Sequence, residues 1–89
     1  MRPPKMHDLK VDVAPYEAQL DGKKTCEFRK SDRDFVEGDY LLLRRSPGTV
    51  MGGEDCFHAI LLKVTHIDRG PEYGIPEGYC VMSTRRIER

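Results

Sequence analysis

The sequence predicts an α+β, mostly β domain: a small, partly open barrel of about five to six strands with one short helix after the first strand. Three observations lead there. The chain has 89 residues, room for one core only, because a chain of this size buries just ~60 to 65% of its unfolded surface. Short apolar runs recur along it, separated by Gly, Pro and Asp turn formers. A single stretch carries helical spacing together with a stop signal. Residues 1–89 therefore read as one domain without repeats, whose ends, MRPPK (1–5) and RRIER (85–89), are expected to fray.

The elements follow in order. HDLKV (7–11) is a short alternating strand, and Pro15 suits the first turn of a helix because its missing N–H costs nothing there. Within PYEAQLD (15–21), Tyr16 and Leu20 stand i, i+4 on one core-facing stripe, and Gly22 supplies the left-handed stop. TCEFR (25–29) alternates, which predicts that Cys26 and Phe28 face the core while Glu27 and Arg29 share the other face. YLLLR (40–44) is a core strand closed by Ser46, Pro47 and Gly48. A loop through Gly52 and Gly53 leads to residues 56–67, whose AILLKV centre is apolar on both alternating sets and so reads as the central strand. DRGPEYGIPEG (68–78) has too many Gly and Pro residues for a regular element and reads as an ordered surface loop, after which residues 79–83 form the closing strand.

Composition narrows the function. Hydrophobic residues make up 38% and charged residues 34% of the chain, with four Tyr, three Phe and no Trp, so the core is thin and the surface highly charged. No apolar run approaches the ~20 residues of a membrane span, and the N-terminal text lacks the apolar segment of a secretory signal. A cytoplasmic protein without a membrane partner is expected. Cys26, Cys56 and Cys80 form no CxxC pair and read as reduced, buried thiols. His7, His58 and His66 lack ligand spacing, so neither metal nor cofactor is expected. Thr25, Ser46 and Ser83 lack the G-x-S-x-G setting of a serine nucleophile. Fifteen Lys+Arg balance fifteen Asp+Glu, so any binding of a polyanion has to use a local patch.

Such a patch is visible at GKKTCEFR (22–29). A helix end and a glycine turn deliver Lys23 and Lys24 to the mouth of a strand from which Glu27 and Arg29 project together. Strict alternation would put Lys24 on the opposite face, but a lysine still in the turn can curl its stem toward Glu27. Lys24 and Arg29 suit phosphate or carbonyl oxygens, and Glu27 can accept from an exocyclic amine. Tyr73 and Phe35 are the candidate stacking rings, Tyr79 a third, and Arg33 of KSDRD a further cation. The plain alternative is a solvated Glu27–Arg29 pair worth only ~0.2 to 1 kcal/mol.

Gly22, Lys24, Glu27 and Arg29 match the spacing G-x-K-x-x-E-x-R, which resembles the ASCH superfamily. HDLK, DRDFVEGD and YGIPEGYCVMS extend the likeness over most of the chain, toward a short ASCH-like family of unknown function from bacteria and phages. The resemblance implies a PUA-like pseudobarrel whose motif lines a cleft beside the first helix and binds RNA or a nucleotide. It also offers an amidohydrolase reading, since some small relatives act on an N4-acylated cytidine through a Lys, Thr and Glu set. Lys24 matches their lysine; Glu27 stands where they carry threonine, and Thr25 lies two positions away. In that reading Lys24 is base or nucleophile and Glu27 or Glu72 moves the proton. A protein-interaction module, using the barrel edge or the 68–78 loop, is the third alternative.

Overall fold

The computed structural model describes residues 2–45 and 59–87. It contains β1 (Met6–Val11), α1 (Val13–Leu20), β2 (Cys26–Lys30), β3 (Tyr40–Arg45), β4 (Ala59–Arg69), a 3-10 turn at Glu72–Gly74 and β5 (Tyr79–Arg86). The five strands form one curled sheet in the order β1-β3-β4-β5-β2, a half-barrel with one short helix after the first strand. β1 runs parallel to β3, and every other pairing is antiparallel. Ser46, Pro47, Gly48, Gly52, Gly53, Cys56 and His58 lie outside the described residues.

Alternation builds the core. His7, Leu9 and Val11 of β1, Leu41 and Leu43 of β3, Ile60, Leu62 and Val64 of β4, and Cys80 and Met82 of β5 all turn to the concave side, where Tyr16 and Phe35 join them. β4 is central as expected, with one face buried and the other half-covered. A bulge between Val64 and His66 resets its phase. Without the extra residue His66 would point inward; with it, Ile67 packs on the core instead.

The helix departs from expectation. It begins two residues before Pro15 and buries Tyr16 with Gln19, whereas Leu20 is exposed. Gln19 earns its burial by donating from Nε2 to the Cys26 carbonyl at 2.9 Å, which ties α1 to β2. Gly22, at φ 76, ends the helix as anticipated. The 68–78 loop closes back on itself: the Gly70 N–H donates to the Tyr79 carbonyl at 2.9 Å, and a Cβ on Gly70 would strike the Pro76 carbonyl.

Arg2 donates to both Asp39 carboxylate oxygens at 2.9 and 2.7 Å, and β5 continues through Arg85 and Arg86. Asp39, 1% exposed, also accepts from His7 Nε2 at 2.8 Å and from the backbone N–H groups of Lys5 and Val36 at 3.0 Å each. Burial alone would raise this carboxyl. The hydrogen bonds from Arg2, His7, Lys5 and Val36 outweigh it and hold Asp39 well below the usual carboxylate range.

A group so depressed stabilises the fold above its unfolded pKa, near 4, and loses that contribution as pH falls further. Asp39→Ala is expected to cost about 3 to 5 kcal/mol at pH 7, the cost of breaking a buried pair. Urea titrations of both proteins at descending pH should show the gap shrinking below about pH 4.

Candidate functional site

The edge strands of the sheet are β1 and β2, and curling brings them toward each other without pairing them. Two backbone carbonyls of β1 are met by arginine side chains. Arg29, on β2, donates from Nη2 to the Lys10 carbonyl of β1 at 2.7 Å. Arg33 donates to the Asp8 carbonyl, one repeat along β1, at 3.1 Å. Arginine suits this task because its long stem crosses the gap while its planar head offers several donors in fixed directions.

The face assignment of β2 is reversed from the one its own alternation suggests. Glu27 pairs with Met82 and Arg29 with Cys80, both core residues, so Glu27 and Arg29 look inward. Phe28 pairs with Val81, looks outward and is 51% exposed. Glu27 is 3% exposed. The cause is the seam: at an open edge the concave side needs polar groups to cross to β1, and Arg29 cannot do so without a carboxylate beside it. Arg29 Nε donates to Glu27 Oε2 at 2.8 Å, and Lys24 Nζ stands 3.7 Å from Oε1.

Lys24 precedes the first residue of β2, so its stem does curl to the Glu27 side. Lys24, Glu27 and Arg29 thus line one open cleft of about 290 Å³, walled by Lys10 and Val11 of β1, Asp12 and Pro15 at the start of α1, and Phe28, Lys30 and Tyr79. Its lining holds four basic side chains (Lys10, Lys24, Arg29, Lys30) against two acidic ones (Asp12, Glu27), a local positive excess in a neutral chain. Lys24 also borders a second cleft of about 250 Å³ with Thr25, Thr84 and Arg86.

The other predicted residues lie elsewhere. Phe35 is 1% exposed and packs edge-on against His7 with ring centroids 4.7 Å apart, so it is a core residue and no stacking platform. Tyr73, 83% exposed with φ 56 in the 3-10 turn, borders neither cleft. Arg33 serves β1 from outside the lining. Tyr79 does reach the cleft, stacked nearly parallel on Phe28 at 5.3 Å. Phe28 was hidden from sequence reasoning because only its cross-strand partner reveals its face; the inward set of β5, Cys80 and Met82, was the available signal.

Two substitutions separate this arrangement from the one expected. Phe28→Ala should cost about 1 kcal/mol, the scale of an exposed ring contact, where a core phenylalanine would cost about 3 to 5. Arg29→Ala should cost about 1.5 to 3 kcal/mol, since it removes charge-assisted bonds to both Glu27 and β1. Equilibrium urea unfolding reads both.

Among the described residues no group of three or more His, Cys, Asp or Glu could hold a metal ion, and no helix is long and apolar enough to cross a membrane. Comparison with known proteins gives two results. A 39-residue segment, 44% of this chain, is 44% identical to the "Uncharacterized 12.9 kDa protein in GpA 3'region" of Escherichia phage P2, of which it spans 36%. Residues 6–84, which include every strand but the last two residues of β5 and the whole lining of the first cleft, match the family described as Domain of unknown function (DUF3850). The match covers most of the chain, and the protein therefore belongs to that family.

Proposed function

We propose that the protein is an RNA- or nucleotide-binding module of the ASCH, PUA-like type, its ligand held in the cleft lined by the G-x-K-x-x-E-x-R segment. The observation that carries this reading is the convergence of Lys24, Glu27 and Arg29 on one cleft with a surplus of positive charge. The formal net charge of the chain is zero, so this concentration is local, as recognition of an anion in a balanced protein requires. Phe28 and Tyr79 add an aromatic wall beside the cations, the second element that an unpaired base needs.

Binding fits the residues better than hydrolysis of an N4-acylated cytidine. The carboxylate of Glu27 occupies the place of the hydroxyl that chemistry uses, and Thr25 borders the neighbouring cleft instead. Docking of a protein partner draws no comparable support, and on the β1 edge the Lys10 and Asp8 carbonyls already accept from Arg29 and Arg33.

Titration of short single-stranded RNAs and of nucleoside monophosphates at low salt tests the reading. Saturable binding is expected that weakens as salt rises and falls roughly tenfold or more in Lys24→Ala, the loss of one hydrogen bond to a charged group. Binding that is absent, or indifferent to Lys24→Ala and Arg29→Lys, would overturn it.

A further inference from the structure

Glu27 Oε1 is buried and accepts no hydrogen bond. Its sister oxygen is satisfied by Arg29 Nε at 2.8 Å, and Lys24 Nζ at 3.7 Å lies beyond hydrogen-bond reach. An ionised carboxylate oxygen shut away from water and left without a donor is costly, and native proteins retain few such atoms without a use for them. This one belongs to a side chain in the wall of the cleft.

We infer that the cleft selects an unpaired nucleobase bearing an exocyclic amino group, adenine, cytosine or guanine over uracil, through an N–H donated to Glu27 Oε1. The inference rests on the binding reading above and names the part of the ligand that is read. A carboxylate has acceptors only, so the missing partner is a donor. Lys24 is the neighbour able to give way: its stem is unbranched and its side chain is 31% exposed. Drawn toward a ligand phosphate, it opens the approach to Oε1. A nucleotide with an amino-bearing base supplies both an anion for Lys24 and an N–H for Glu27, whereas inorganic phosphate supplies only the first. The ring N–H of uracil is flanked by two carbonyl oxygens, so in presenting it the base also brings an acceptor toward the acceptor oxygens of Glu27. An exocyclic amine projects clear of the ring and can enter the recess.

Calorimetric titration of the full chain with CMP, AMP and UMP decides the matter. CMP and AMP are expected to bind about tenfold or more tightly than UMP, the consequence of leaving a buried acceptor unmet. N4-methyl-CMP, which keeps one N–H, should stay near CMP, and N4,N4-dimethyl-CMP, which has none, should fall to the UMP level. Glu27→Gln, whose amide can turn either its oxygen or its N–H to the base, should bring the three natural nucleotides within about twofold of one another. The modified nucleotides make the same test on the unaltered protein if that variant does not fold. Equal affinity for CMP and UMP, or undiminished binding of the dimethyl form, overturns the inference and leaves the binding reading standing. Failure of every nucleotide and short RNA to bind overturns both.

Discussion

Arg29 spans the one gap that the curled sheet cannot close with backbone hydrogen bonds. Five strands bring β1 and β2 within side-chain reach of each other and no nearer, so each edge keeps a row of unpaired groups. A guanidinium crossing from β2 to the Lys10 carbonyl closes part of that gap, and a cation in this position requires a counter-charge. Glu27 supplies it from the adjacent inward position at 2.8 Å. The cleft follows from the same geometry, because the walls of an incompletely closed barrel diverge and the groups that bridge them become its lining. Structure and candidate site share residues here for a physical reason: the place where the sheet runs out of backbone partners is where it has polar side chains to spare.

A second polar centre frees the seam from holding the rest of the fold. Asp39 gathers Arg2, Lys5, His7 and Val36, joining the N-terminal segment, β1 and the β2–β3 connection around one ionised carboxylate. Both Asp39 oxygens are supplied with donors, which suits a permanent structural role. Glu27 differs in this respect, with one oxygen supplied and one not. The contrast between two buried acids in one small domain separates a finished network from one that has room for a ligand.

The succession of strands along the chain was legible because period-two patterns with one buried face are hard to mistake. HDLKV, YLLLR and the AILLKV centre each place their buried residues as alternation requires, and Gly22 marks the helix end through a left-handed φ that few other residues accept. The misreadings share a cause. In β2, Cys26 and Phe28 are the more apolar set and Glu27 and Arg29 the more polar, yet the polar set faces the core. In α1, Gln19 is buried and Leu20 is not, because a side-chain amide was needed at the Cys26 carbonyl. Phe35, in a polar turn, is among the most buried residues. At each of these positions a hydrogen bond or a packing space supplied by a distant strand outweighed local hydropathy.

The sequence by itself determined the mostly β character, the helix after the first strand and the grouping of Lys24, Glu27 and Arg29, since these depend on residue spacing among near neighbours. Only the tertiary structure decided which face of β2 turns inward, that Phe28 and Tyr79 rather than Phe35 and Tyr73 flank the cleft, and that Asp39 holds the N-terminal segment. Those outcomes depend on cross-strand register and on the meeting of two sheet edges. A one-residue change of register would turn every side chain of β2 to the other face without altering a letter of its sequence.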